Sequence, residues 1–456
     1  MPRRYWFTTR RVLVAVLTGL FMVFLVQVDY LKVIELLPRQ HSPSSHHTCD
    51  TRQQPLSDSW PGCNDRVPST PASFNYTLPL RTHGRYIVDA QDVRVKLASI
   101  NWYGASDVDY IPAGLEVRHR DEISKLIRDM GFNSVRLPYA DEMIRKNPWI
   151  PAEKLSANRD LIRPGPQPGD SEGASARDVF AAVVHSLTEA EVMVIVNNHI
   201  TQATWCCGAN PCDASWANDW FGGSLFCRFG QTEDEWIENW ETVMRPLVAN
   251  PRVIGVDLRN EPRGFPGTLR WIDWVRAAER AAERLLSLNP DWLIVVEGIS
   301  SANDLSGVRT RPVRLPPPHI NRVVYSAHVY SWSGWGSLNP YSRRNYADFV
   351  ASMRMNWGFI MEDEIAPVWL GEFGTADQPN DGDRNYWDHL IAYLSNLDVS
   401  WAYWALNPRK PADEAWEGYG LVGDAWNEDS IRWDYRLEDL FQLGLLPRLS
   451  RPGIEP

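Results

Sequence analysis

The sequence predicts an α/β chain folded as one eight-stranded parallel barrel with helices outside, a (β/α)8 TIM barrel, preceded by a transmembrane anchor and a stalk. Three observations predict it. Eight short apolar runs, several of them near-continuous Val and Ile, recur along the chain, as strands buried on both faces do. Amphipathic helical stripes separate many of them, and that alternation implies a parallel sheet covered by helices. Six of the runs close on chemically capable residues at their C-terminal ends, where a parallel barrel keeps its chemistry.

The elements follow in chain order. Arg3, Arg4, Arg10 and Arg11 precede a nearly unbroken apolar run, Val12–Val28, which continues through Leu31, Val33, Ile34 and Leu36. A spanning helix needs about 20 apolar residues, so residues 12–36 are expected to be an uncleaved signal anchor. The basic tail, residues 1–11, should stay cytosolic and the rest of the chain outside. A cleaved signal peptide would have a shorter apolar region of about 7–15 residues and a small-x-small site, and no convincing site of that kind is present. Residues 37–79 are rich in Pro, Ser, His, Asp and Arg and read as a stalk. They carry one glycosylation sequon, Asn75-Tyr76-Thr77. Export makes the six cysteines candidates for disulfides. Cys49 and Cys63 are expected to form one bridge, and Cys206, Cys207, Cys212 and Cys227 to clamp one loop. Sequence alone does not fix the pairing; free thiols remain open, and zinc fits poorly because adjacent Cys206 and Cys207 do not match finger spacings.

Residues 80–450 hold the barrel. A hairpin is expected from Arg85–Asp89 and Val93–Asn101, leading into a first barrel strand over Lys96–Trp102. The other seven are expected over Ser134–Tyr139, Val192–His199, Val253–Asn260, Leu293–Ile299, Arg322–Tyr330, Val368–Glu372 and Val399–Leu406. Helical stripes follow the i, i+3, i+4, i+7 pattern at Ile123, Leu126, Ile127 and Met130, and again from Phe180, Trp240 and Trp387. Thr232-x-x-Glu235 and Ser175-x-x-Asp178 supply helix caps. No Gly-rich phosphate loop follows the first strand, which counts against an open dinucleotide-binding sheet.

Composition narrows the function. With 46 basic and 57 acidic residues the net charge is −11, which argues against a nucleic-acid partner. The 22 Trp exceed both Phe and Tyr; indole faces stack on sugar rings and leave an N–H free to hydrogen-bond, although Trp236 and Trp240 lie on one core stripe. The strand ends carry, in order, Arg136, His199, Asn260-Glu261, His328-x-Tyr330, Glu372 and Trp404. Two carboxyl groups facing one sugar are the minimum apparatus for cutting a glycosidic bond. Each motif alone is weak, since Asn260-Glu261-Pro262 and Gly371-Glu372-Phe373-Gly374 both read as ordinary turns and each histidine as a core residue. Their order, all at one end of successive strands, is specific.

This series resembles glycoside hydrolase family 5, the cellulase-type family of barrel glycosidases, from about Arg85 to the last helix. The resemblance implies retention of anomeric configuration by double displacement, with Glu372 as nucleophile and Glu261 as acid/base holding the proton in the free enzyme. Arg136 and Tyr330 would hold Glu372, Asn260 would bind the sugar 2-hydroxyl, His199 and His328 would bond hydroxyls or carboxyls, and Trp404 would floor the cleaved sugar. The loop Thr201–Gly230 resembles Cys-Cys loops of some plant and fungal members and is expected to wall one side of the cleft, with Trp216 and Trp220 the residues that test it; a stability brace away from substrate is the alternative. The expected substrate is a β-1,4-glucan attacked internally; β-mannan, β-1,3-glucan, a glycolipid or transglycosylation in a wall polymer are the alternatives, and an inactive sugar-binding surface protein is the alternative of another class. Neither metal nor organic cofactor is implied, and a membrane-tethered, extracytoplasmic monomer is expected.

Overall fold

The computed structural model describes residues 70–208, 210–264, 269–334 and 339–449. The expected anchor, the Cys49–Cys63 bridge and the stalk up to residue 69 lie outside them. Among the described residues no helix is long and apolar enough to cross a membrane.

Eight parallel strands close into a barrel: β1 (Ala98–Asn101), β2 (Ser134–Ala140), β3 (Met193–Ile200), β4 (Val253–Asp257), β5 (Leu293–Glu297), β6 (Val323–Val329), β7 (Val368–Phe373) and β8 (Ser400–Tyr403). Every expected barrel strand is present: Ser134–Ala140 and Val368–Phe373 run one residue longer than expected, and the others are shortened or shifted. The four predicted stripes form α1 (Arg120–Asp129), α2 (Ala176–Glu189), α3 (Glu233–Met244) and α6 (Asp381–Leu397); α4 (Trp271–Leu288) and α5 (Tyr346–Met353) complete the outer layer between them. The Ser175 side chain accepts from the Asp178 N–H at the start of α2, and Thr232 with Glu235 forms a full capping box at α3.

Alternation along the strands divides the core in two. Ile100, Val135, Leu137, Val194, Val196, Val256, Ile294 and Val296 join the helices in the large outer core. Met193, Ile195, Ile254, Leu293, Val295, Val324 and Trp369 form a smaller cluster inside the barrel with Leu80, Ile87, Val95 and Leu97. The upper interior is polar and fully buried: Asn101, Arg136, Asn197, Asp257, Glu297 and His328. A barrel of eight strands is just wide enough to be filled by side chains, so these groups must satisfy one another.

The base differs from expectation. The hairpin pairs Arg81–His83 with Tyr86–Val88 around Gly84, which sits at φ +53. The expected turn after Asp89 is present, with its carboxylate accepting the N–H groups of Gln91 and Val93, each at 2.9 Å, but the pairing beyond it is a single bridge, Val88 with Arg94. Residues 70–79, expected in the stalk, are bound to the barrel: Ala72 is buried, and Thr70 bonds Asp398. Asn75 is exposed on this segment.

Candidate active site

The C-terminal mouth of the barrel opens into a cleft of about 700 Å³. At its floor Arg136, inward-facing on β2, spends all five guanidinium N–H groups. Its Nε donates to Asp257 Oδ2 (2.7 Å), Nη1 to Glu372 Oε1 (2.6 Å) and Asn101 Oδ1 (3.0 Å), and Nη2 to Asn260 Oδ1 (2.8 Å) and Glu297 Oε1 (3.0 Å). The guanidinium therefore fixes the ends of β1, β4, β5 and β7 in one plane.

Glu372, near the end of β7, also accepts from Tyr330 Oη at 3.0 Å. In the β6–β7 register it pairs with His328, whose Nδ1 lies 3.2 Å from Glu261 Oε1 and 3.6 Å from Glu372 Oε2. Gly371 makes this approach possible: a Cβ there would come within 2.5 Å of Ser326 Oγ and 3.0 Å of His328 Nε2. Glu261 follows β4 with φ +47, a left-handed conformation rare for a residue with a side chain. Oxygens of Glu261 and Glu372 and one nitrogen of His328 all lie within 4.8 Å of one another. Such a set can hold a cation, but the guanidinium beside it opposes added positive charge.

Burial and charge divide the protons. For His328 burial opposes the charged form, but Glu297 and Glu372 outweigh it and raise its pKa well above 6.5. Burial, with the positive charges of Arg136 and His328, pushes His199 well below its ordinary value. His199 Nδ1 lies 2.9 Å from Asn197 Oδ1; because Asn197 gives its amide N–H to Asp257 at 3.0 Å, the neutral ring donates from Nδ1 and leaves Nε2 free to accept. Burial would lift Glu297, but His328, Arg136 and the Glu261 N–H hold it at about 2. Its neighbour Asp257 is pushed well above the carboxylate range by burial and by that charge. Burial also raises Glu372, against the pull of His328 and Arg136. Arg136 and Tyr330 hold Glu372 as expected, but burial still leaves its pKa raised.

Trp404, after β8, stacks between Tyr103 (4.8 Å between centroids, 6° between planes) and His199 (5.6 Å, 13°). The eight site residues expected from sequence are thus brought together. Asn260 faces two ways: its oxygen accepts from Arg136, and its amide N–H lies 3.2 Å from Cys207 Sγ and 3.4 Å from Cys206 Sγ. The expected loop splits in function. Thr204, Trp205, Cys206 and Cys207 line the cleft, whereas Trp216 is buried against Trp236 and Trp274 and Trp220 is exposed outside it. The bridges are Cys206–Cys207 and Cys212–Cys227. Arg259, fully buried, pins this loop by donating to Thr201 Oγ1 and the Asp213 carbonyl, both at 3.0 Å.

Sequence reasoning missed Asn101, Asn197, Asp257, Glu297 and Arg259, and on the cleft wall Tyr103 and Trp332, which stacks on Tyr330 at 4.6 Å. A signal existed for Glu297: Leu293, Val295 and Glu297 are i, i+2, i+4, so the carboxylate faces inward with two core residues.

A parallel barrel with two carboxylates facing across its mouth, one of them clamped by an arginine and a tyrosine, defines a glycoside hydrolase. The chain belongs to the cellulase family, glycosyl hydrolase family 5, whose family model matches residues 88–410. It is 30% identical over 377 residues to a glycosyl hydrolase 5 family protein of Chamaecyparis obtusa, covering 78% of this chain and 64% of that one. It is 27% identical to an endoglucanase of Paenibacillus polymyxa, covering 82% and 87%. In fold it matches the catalytic domain of the major endoglucanase of Xanthomonas campestris, with TM-score 0.65, 24% identity and 80% and 99% of the two chains covered. It also matches a Pyrococcus horikoshii endocellulase in complex with cellotetraose, with TM-score 0.63, 21% identity and 81% and 99% covered.

Proposed function

We propose that this protein is a retaining endo-β-glucanase acting on a β-1,4-glucan by double displacement. The observation that carries the reading is the approach of the two carboxylates: their oxygens come within 4.8 Å, close to the separation of about 5–5.5 Å typical of retaining enzymes and short of the 6.5 Å or more that an inverting enzyme needs to admit water. Glu372 attacks the anomeric carbon while Glu261 gives its proton to the departing oxygen. Glu261 then takes a proton from water as that water breaks the glycosyl ester. At this separation the pair holds one proton between them. In the reactive form it sits on Glu261, and Glu372 is the anion, facing the donors Arg136 and Tyr330. Asn260 and neutral His199 offer groups for sugar hydroxyls, and Trp404 a stacking face.

The open cleft, flanked by Trp205 and Trp332, suits a chain passing through. The endoglucanases and endocellulase among its relatives support the glucan over the mannan, β-1,3-glucan and glycolipid alternatives. The full chain tested against β-glucans, mannans and glycolipids, with product anomers followed by NMR, should release β-anomers first and shorten soluble cellulose derivatives internally. An α-anomer as first product, or no cleavage across the panel, refutes the reading. We also infer from the apolar run at residues 12–36 that the enzyme is tethered to a membrane and faces away from the cytosol, and that Asn75 carries a glycan. N-terminal sequencing showing a start beyond Val28 would remove the tether.

A further inference from the structure

We propose that Glu297 is a positioning residue for the acid/base function of Glu261, holding that residue at both its backbone and its carboxyl. The inference rests on the glycosidase reading above. Glu297 closes β5 and is fully buried. Its Oε2 accepts the backbone N–H of Glu261 at 2.7 Å. Its Oε1 accepts from Arg136 and lies 3.4 Å from His328 Nε2, an ion-pair contact rather than an aligned hydrogen bond. The other nitrogen of the same imidazole meets Glu261 Oε1 at 3.2 Å. The contacts therefore form a closed ring: Glu297 to the Glu261 backbone, along the Glu261 side chain to His328, and back to Glu297.

This ring accounts for two features of the site. Glu261 adopts a left-handed backbone at φ +47, a conformation that persists in a residue with a side chain only when its surroundings hold it there. The charge-assisted bond from its own N–H to Glu297 is such a hold. The imidazole is also aimed at Glu261 from a fixed direction, because its far nitrogen faces a second carboxylate. Removing the Glu297 charge leaves the Glu261 N–H with a weaker acceptor and the ring with one anchor fewer, while Glu372 keeps its bonds from Arg136 and Tyr330. The damage should fall on proton delivery rather than on nucleophilic attack.

Leaving-group dependence separates the two. A cello-oligosaccharide needs a proton on its departing oxygen; a 2,4-dinitrophenyl cellobioside does not, because dinitrophenolate leaves unaided. In Glu297→Gln, which keeps volume and a carbonyl acceptor, kcat/KM should fall about 30-fold or more on the oligosaccharide, a partial loss of the 10²–10⁴ that general acid catalysis contributes, and by no more than about threefold on the aryl glycoside. Glu297→Ala should show the same split more strongly. Equal losses on both substrates mean a merely structural role, and unchanged rates on both mean no role; either overturns the proposal. If the wild-type chain cleaves neither substrate, the function reading itself has failed.

Discussion

Replacing Tyr330 with Phe removes one hydroxyl and keeps the ring that stacks on Trp332. That hydroxyl lies 3.0 Å from Glu372 Oε2. Burial and the adjacent Glu372 charge push the phenol well above its ordinary pKa, so it stays protonated and donates to the carboxylate throughout the working pH range. A hydrogen bond to a charged group contributes about 1.5–3 kcal/mol. At about 1.36 kcal/mol per pKa unit, its loss raises the Glu372 pKa by roughly 1–2 units, because the donor favours the ionised form. The sign is therefore fixed. Burial already lifts this carboxyl, and the variant lifts it further, so the acid limb of kcat/KM should move to higher pH by about 1–2 units. Below that limb the variant should be roughly 10- to 150-fold slower than wild type; well above it the two should converge. The assay is kcat/KM against pH on one soluble cello-oligosaccharide, with thermal melts to show both chains folded. An acid limb that does not move would refute the argument that Tyr330 holds the nucleophile ionised.

Three other outcomes are expected. Trp205→Ala should raise KM for long substrates several-fold, whereas Trp216→Ala should leave KM unchanged and cost about 3–5 kcal/mol of stability, as large core truncations do; denaturant melts and kinetics together check both. Asp398→Ala should cost about 3–5 kcal/mol by leaving Lys96, whose side chain is fully buried, without its counter-ion at 2.7 Å. In the wild type Asp398 is held at about 2, below its unfolded value, so its stabilisation is complete above about pH 4 and is lost as pH falls toward 2; melts across that window should show the loss, and the variant should lack it. His199 is held neutral, its folded pKa below its unfolded one, so lowering the pH through about 6.5 should destabilise the wild type and leave His199→Gln less affected in the same melts.

The barrel was legible because eight short apolar runs were, and between many of them the 3.6-residue stripes that start at Ile123, Phe180, Trp240 and Trp387. Site residues were legible where they stood in turns past the apolar runs, as Glu261 and Trp404 do, or changed a strand's chemistry abruptly, as Arg136 does. Glu297 and Asp257 escaped notice because each completes a run of Val, Ile and Leu and reads as its polar edge. Only closure of the barrel shows that these edges face one another under the cleft. The hairpin was placed one turn late: its paired strands are Arg81–His83 and Tyr86–Val88, and of the expected pairing across Asp89–Val93 a single bridge, Val88 with Arg94, is formed. The loop Thr201–Gly230 was read as one wall because sequence does not say which tryptophans turn inward. Trp216 is held in the core by Trp236 and Trp274, and the Cys212–Cys227 bridge ties the outer half down.

The hairpin beneath the barrel gives the molecule a polarity of use. Leu80 and Ile87 plug the floor, Thr70 is fastened to Asp398 beside them, and the cleft opens at the opposite pole. A bead, fluorophore or fusion partner joined ahead of Thr70 is held on the blind side of the catalyst. An enzyme immobilised through that end should meet an insoluble substrate mouth first, and one coupled through the lysine beside the cleft, Lys410, should not.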